Sequence, residues 1–209
     1  RELAAMMQVS RPSLRTALRA LSHMKIIEIR QGAGTYVTSL DPQALMEPLG
    51  FVFSLDNSTF LQLLEARIIL EVGIAGLAAQ QISEEESAAL EACLVRSAEL
   101  VEDHEPFLQT DRELHARITE ASRNPILIRF MQSISQLDLA GRRRTADIPG
   151  MTAQSLEDHR VIVAALKAHD PEAARQAMLQ HLRNVEQKFK QVVPSEDLVT
   201  PPRKTTSVL

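Results

Sequence analysis

Apolar residues recur at helical spacing over most of the chain. Leu14, Ala17, Leu18 and Leu21 lie three, four and seven apart, which gives residues 11–24 one buried face. Ser10 precedes that run as an N-cap, and Pro12 falls near the first turn, where its missing N–H costs little. Residues 1–8 have a helical composition that Val9-Ser10 interrupts. The pattern then shortens to strand-like runs. Ile26-Ile27-Glu28-Ile29-Arg30 and Thr35-Tyr36-Val37-Thr38 flank Gln31-Gly32-Ala33-Gly34, a hairpin signal. Helix, short turn, helix, hairpin is the order of a winged helix-turn-helix whose first helix is expected upstream of Arg1.

Beyond this head the period is helical almost to the end. Helices are expected at about 58–80, 84–103, 106–121, 125–144, 152–168 and 171–192. Ser83 before Glu84-Glu85-Glu86 predicts a capping box with acids at the positive helix end. Asn124-Pro125 and Asp170-Pro171 each predict an N-cap followed by Pro at the first helical position. Short connections predict antiparallel neighbours. Asp41-Pro42 starts an expected short linking helix reaching about Leu49, and residues 194–209 have the polar, Pro-rich composition of a disordered tail. The expected fold is mostly α: an N-terminal winged helix-turn-helix and a C-terminal antiparallel bundle of about six helices. The expected domains are 1–39 (partial DNA-binding head), 40–57 (linker), 58–193 (helical effector-binding and dimerisation domain) and 194–209 (tail).

Composition sharpens this. Among 209 residues there are only 7 Gly, 6 Phe and 1 Tyr, too few turn glycines and aromatics for a β-rich fold. A single cysteine, Cys93, excludes a disulfide-framed scaffold. No apolar run approaches ~18 residues, so no transmembrane helix is expected, and a cytoplasmic location fits. Charge is uneven: residues 1–39 hold six basic residues against two acidic, the remainder seventeen against twenty-five. A basic head on an acidic body is the asymmetry expected when only the head meets a polyanion.

The head carries the matching chemistry. In a helix-turn-helix the second helix enters the major groove N-terminal residues first. Here Arg11 and Arg15, four apart, share one face, and Arg19 extends the row. Arginine binds guanine bidentately or clamps phosphate. The hydroxyls of Ser10 and Ser13 suit phosphate oxygens, and Gly32 lets the wing tip approach the backbone closely. For any single arginine, solvation of a surface helix is an equal alternative. The stretch RELAAMMQVSRPSLRTALRALSHMKIIEIRQGAGTYV resembles the winged-helix domain of GntR-family bacterial transcription regulators, entered part-way. The blocks Arg-Glu-Leu-Ala, Val-Ser-Arg-x-x-Leu-Arg-x-Ala-Leu and Gly-x-Gly-Thr-x-Val are all present. The resemblance implies DNA contacts by Arg1, Ser10, Arg11, Arg15 and Gly32, with Pro12 and Ser13 at variable positions.

Four ionisable residues interrupt apolar stripes in the body. Asp111 and His115 break the Phe107, Leu108, Leu114, Ile118 stripe. His159 breaks Leu156, Ile162, Val163, Leu166, and His181 breaks Ala174, Ala177, Met178, Leu182, Val185. Burying such groups alone is costly, and a shared divalent cation is one common partner. Three imidazoles and a carboxylate suit Zn, Ni, Co, Mn or Fe, zinc first, rather than Ca or Mg. A hydrogen-bonded core histidine is the alternative for each, and Asp111 has Arg112 and Arg117 as other partners. His23, His104 and His169 fall near helix ends and are read as surface residues.

The body resembles the FCD ligand-binding domain of the FadR-like branch of GntR regulators. The carrying stretches are Leu64-Glu65-Ala66-Arg67 with Leu70-Glu71, Asp111-x3-His115 followed by Glu120 to Pro125, Asp158-His159-Arg160-x-Ile162, and Asp170 through Arg175 to His181-Leu182. Arg123 stands where small residues are usual. The resemblance implies a metal on Asp111, His115, His159 and His181, and a small carboxylate effector in its open positions, helped by Arg67. Arg67 also lies on an inward stripe with Leu63, Leu64, Leu70 and Ile74, and an ion pair with Glu71 is the rival reading. Arg142-Arg143-Arg144 is expected to be solvated.

These readings point to a homodimeric, metabolite-responsive DNA-binding transcription regulator, a repressor released by a small organic acid, and not an enzyme. Its expected partners are operator DNA and that acid. The alternatives are a metal-dependent hydrolase and a DNA-binding protein with a purely structural metal.

Overall fold

A computed structural model describes residues 2–24, 26–38, 57–137 and 139–192. Arg1, the linking helix expected over 41–49 and the tail expected over 194–209 lie outside them. The chain divides into two units, Arg1–Pro48 and Leu49–Leu209.

The first unit contains helix α1 (Glu2–Met6), helix α2 (Arg11–His23) and strands β1 (Ile27–Arg30) and β2 (Gly34–Val37). After α1 the chain turns at Gln8, which takes a left-handed φ of 53°, while the Val9 N–H donates to the Ala4 carbonyl at 3.0 Å. Ser10 caps α2: its Oγ accepts the Ser13 N–H at 3.2 Å, and Pro12 stands in the first turn. The strands pair antiparallel from Ile27 opposite Val37 to Arg30 opposite Gly34. Gly32 sits at the turn with φ +77°, a conformation that costs a glycine little. Across the hairpin the Arg30 guanidinium lies 4.9 Å from the centre of the Tyr36 ring. The apolar face of α2 is shallower than its spacing predicts. Leu14, Leu18 and Leu21 are half-buried and Ala17 is exposed. The reason is the small amount of apolar cover: among the described residues of this unit only Ala4 and Ile27 are buried hydrophobics.

The second unit is a bundle of seven helices among the described residues: α3 (Asn57–Gln81), α4 (Glu84–Glu99), α5 (His104–Ala121), α6 (Pro125–Leu137), α7 (Leu139–Ala146), α8 (Met151–Lys167) and α9 (Pro171–Val192). The α9 helix packs along α3 and α8, and α5 lies between α3 and α4. Leu64, Leu114, Ile118, Ile162, Leu166 and Leu182 fill the centre. The helix starts follow their signals. Ser83 and Glu86 form the reciprocal capping box of α4. The Asn124 side chain accepts from the N–H groups of Ile126 and Leu127, and Asp170 from those of Glu172 and Ala173.

Two helix ends differ from expectation. The α4 helix stops at Glu99, where the Leu100 N–H turns back to the Ser97 carbonyl at 3.2 Å, so 100–103 form a turn. The stretch expected as one helix over 125–144 is described as two, α6 and α7. Glycine is required in α7: a Cβ on Gly141 would collide with the Phe60 ring, which itself packs on Phe189 at a centroid distance of 4.4 Å. Among the described residues no helix is long and apolar enough to cross a membrane.

Candidate functional site

Asp111 and His115 stand one turn apart on α5, His159 is on α8 and His181 on α9. The structure brings all four together. Each offers one donor atom, and those atoms lie within 4.8 Å of one another, all buried. The imidazole centroids are 5.4 Å (His115–His159), 5.3 Å (His115–His181) and 4.6 Å (His159–His181) apart. Asp111 Oδ1 lies 3.4 Å from His159 Nε2 and 3.8 Å from His115 Nε2.

Each of three donors is aimed by a neighbour. Glu71, on α3, accepts from His115 Nδ1 at 2.5 Å through Oε2 and from Arg67 Nε at 2.6 Å through Oε1. Burial pushes the Glu71 carboxyl up, but Arg67 and His115 outweigh it and hold the group well below the usual carboxylate range. An ionised carboxylate only accepts, so Nδ1 of His115 carries the proton and Nε2 is left as the donor atom. Asp158 does the same for His181 Nδ1 at 3.4 Å, and is itself held by Asn184 Nδ2 at 3.0 and 2.9 Å. Arg142 of α7 bonds Asp111 Oδ2, which leaves Oδ1 facing the histidines. Carboxylate partners of this kind fix the tautomer of metal-ligating histidines.

The electrostatics keep these groups in the ligating state. Burial drives His159 far below the ordinary histidine value, helped by His181, and it lowers His181 against the opposing pull of Asp158. Both are therefore neutral imidazoles. Burial pushes the Asp111 carboxyl up, yet the Arg142 guanidinium, first among the charges around it, holds it down as a carboxylate. Buried Nε2 of His115 and both ring nitrogens of His159 make no hydrogen bond. Such orphaned polar atoms are costly in a dry interior, and a divalent cation would satisfy His115 Nε2 and one nitrogen of His159, the other nitrogen of that neutral ring carrying its proton. Two donors of one zinc-sized ion are at most ~4.2 Å apart, so the cluster fits an ion after slight contraction.

Beside the cluster is a cavity of about 30 Å³, lined by Arg67, Asp111, Arg142 and His181 among others. Two expectations change here. Arg142 is not solvated: it is 6% exposed and paired with Asp111, while Arg143 and Arg144 of the same run are exposed, Arg143 bonded to Glu105. The apolar wall is not Leu63, Leu70 and Ile74 but Phe107, Leu108, Met151 and Val185. Leu63 and Leu70 are half-buried because α3 turns its Leu64, Arg67, Glu71 line inward instead. Arg67 lines the cavity and makes the Glu71 ion pair at once.

In the head, Arg11 and Arg15 are exposed on one face of α2, Ser10 is exposed as its cap, and Gly32 is exposed at the wing turn. Sequence spacing singled out Glu71 only as an ion-pair partner of Arg67, not as the partner of a histidine, and did not single out Asp158 or Arg142 as site residues. Arg123 has a left-handed φ of 54° after α5, and its guanidinium bonds Glu86 at 2.8 Å.

A winged helix-turn-helix head carried with an all-helical body that holds a buried cluster of ionisable side chains beside a small cavity is the architecture of a DNA-binding regulator. The comparisons with known proteins give the family. Residues 1–37 match the model for bacterial regulatory proteins of the gntR family, and residues 62–184 match the FCD domain. The chain belongs to the GntR family of transcription regulators, in the branch that carries an FCD domain. It is similar to the HTH-type transcriptional regulator LutR of Bacillus subtilis (strain 168), 34% identical over 189 residues that cover 88% of this chain and 86% of LutR. It is also similar to the transcriptional repressor NanR of Salmonella newport (strain SL254), 27% identical, covering 88% of this chain and 73% of NanR. The solved structure of Streptococcus agalactiae GntR superposes with a TM-score of 0.65 at 32% identity, covering 89% of this chain and 86% of that one. These families and relatives are regulators, so the hydrolase alternative is set aside: the protein is not an enzyme.

Proposed function

We propose that this regulator is metabolite-responsive, with a divalent transition metal on Asp111, His115, His159 and His181 and a small carboxylate as effector. The observation that carries the reading is the set of orphaned imidazole nitrogens gathered with a carboxylate oxygen, the donor atoms all buried and within 4.8 Å of one another. Zinc is the best match to this donor set, and Ni, Co, Mn and Fe also suit it. When bound, the metal supplies a Lewis-acidic centre that ligates a carboxylate oxygen. The protein's own groups do the rest. Glu71 and Asp158 orient the imidazoles, and Arg142 orients Asp111. Arg67 and Arg142 place two guanidinium groups on the adjoining cavity, a planar fork matched to carboxylate geometry.

At the other end Arg11 and Arg15 read operator bases, Ser10 and Gly32 approach the phosphate backbone, and Arg1 joins them. A homodimer on a two-fold operator places two such helices one or more turns apart. The effector changes operator affinity by binding the free and DNA-bound states unequally. Repression is favoured because the similar NanR is described as a repressor.

The test is DNA binding by the metal-loaded protein with and without a panel of hydroxy-, keto- and dicarboxylic acids, on a site selected from random sequence. One acid is expected to shift the DNA affinity, and Arg67→Ala to abolish that shift while metal content stays unchanged. If no acid binds or shifts DNA affinity, the metal is structural only.

A further inference from the structure

The short helix α7 has only eight residues, and none of its described side chains joins the central apolar cluster. It is held instead by separate contacts to other helices. The backbone of Gly141 lies against the Phe60 ring, so closely that a Cβ there would collide. The next residue, Arg142, bonds Asp111 Oδ2 in the four-residue cluster. Arg143 grips Glu105 at the start of α5, through Nε at 3.1 Å and Nη2 at 2.8 Å. Just past the helix, Asp147 Oδ1 stands 3.1 Å from His104 Nδ1. Two consecutive residues of α7 therefore touch a candidate metal ligand on one side and the first turn of α3 on the other.

Both ends of this connection have a bearing on regulation. Phe60 is 5% exposed and is backed by the Phe189 ring, with centroids 4.4 Å apart. Helix α3 is the first described helix of the second unit, and residues 39–56 join it along the chain to the DNA-binding head. At the other end the donor set is slightly open. Its atoms lie within 4.8 Å of one another, whereas two donors of one zinc-sized ion are at most ~4.2 Å apart.

From this geometry we infer that α7 is the coupling element of the regulator: occupancy of the cluster passes from Asp111 through Arg142 and Gly141 to Phe60, and so to the start of α3. This rests on the metal reading above and adds the route by which occupancy reaches the head. Closing the donor set draws Asp111 Oδ1 toward the imidazoles, and Oδ2 carries Arg142 with it through a charge-assisted bond. The Arg143–Glu105 pair is exposed, and such pairs are weak enough to yield. The Gly141–Phe60 contact cannot yield. It has no room even for a methyl group, and packed interiors of low compressibility transmit a displacement. The first turn of α3 moves in response, and the two placements of α7 are the two states that a ligand of the body biases.

The test compares the full chain stripped with chelator and the full chain loaded with zinc. Fluorescence anisotropy on a DNA site selected from random sequence is expected to give dissociation constants that differ about fivefold or more between the two forms, the usual scale of coupling between sites. Phe60→Leu gives Gly141 slack and should cut that difference to less than about twofold. Its zinc content and zinc affinity should stay as in the wild type, which shows that the body still folds. Hydrogen exchange without DNA gives a second reading: protection at the start of α3 changes on zinc loading in the wild type and not in the variant. Zinc that binds without altering DNA affinity, or without altering exchange at the start of α3, overturns the inference and leaves the metal reading standing. So does a variant that responds as the wild type does. Failure to retain zinc at all overturns the metal reading and this inference with it.

Discussion

Glu71 accepts a hydrogen bond from His115 Nδ1 at 2.5 Å while its other oxygen holds Arg67 Nε at 2.6 Å. One carboxylate on α3 thereby joins the orientation of His115, a proposed metal ligand on α5, to the guanidinium that lines the adjoining cavity. Glu71→Gln keeps an acceptor near one partner but removes the charge that both partners face. Metal affinity is expected to fall about 10–100-fold, the usual scale for such orienting partners. Competition with a metal-binding dye measures it, and unchanged affinity contradicts the orienting role.

The metal-free protein should lose stability on acidification. His159 and His181 have folded pKa values below the ordinary 6.5, so the unfolded chain binds more protons than the folded one as pH falls through 6.5. Their contribution is complete above that value and is lost toward the lower folded values. Glu71, depressed below 4.5, adds a second loss in the carboxylate range, with the same sign. Urea midpoints in chelator at pH 7.5 and pH 5.5 should fall with pH, and a flat profile contradicts the burial of neutral histidines.

Gly141 has no room for a side chain against Phe60. Gly141→Ala should destabilise the body by about 1–3 kcal/mol, the cost of overpacking a filled core. Chemical denaturation of the two proteins decides this, and equal midpoints contradict the packing.

Arg11 and Arg15 share the exposed face at the start of α2. Replacing either with alanine should weaken binding to a selected DNA site by about 1–3 kcal/mol if its contact is to a base, and relax preference at one base pair. Wild-type binding by both variants contradicts α2 as the recognition helix.

The helical body was legible in the sequence because its signals are local. Apolar intervals of three and four, the Ser83 capping box and the Asn124 and Asp170 caps each act within one turn. The donor cluster was legible for a related reason: Asp111, His115, His159 and His181 each break an otherwise apolar stripe, so each had to face inward. The groups that aim them were not. Nothing local marks Glu71 as the partner of a histidine 44 residues on, and Asp158 is matched to His181 across 23. Arg142 hides in a run of three arginines, and only the inward turn of α7, with Thr145 and Ala146 buried beside it, separates it from exposed Arg143 and Arg144. In the head, spacing described the face of α2 but not how little apolar surface would cover it.

The most direct test of the central claim is metal stoichiometry by mass spectrometry, after the protein is stripped with chelator, reloaded with zinc and desalted. The account predicts one ion per chain in the wild type, a melting temperature that rises on loading, and close to none retained by His159→Ala or His181→Ala. Retention of zinc by both variants at wild-type level, or no retention by the wild type with any of Zn, Ni, Co, Mn or Fe, would contradict it.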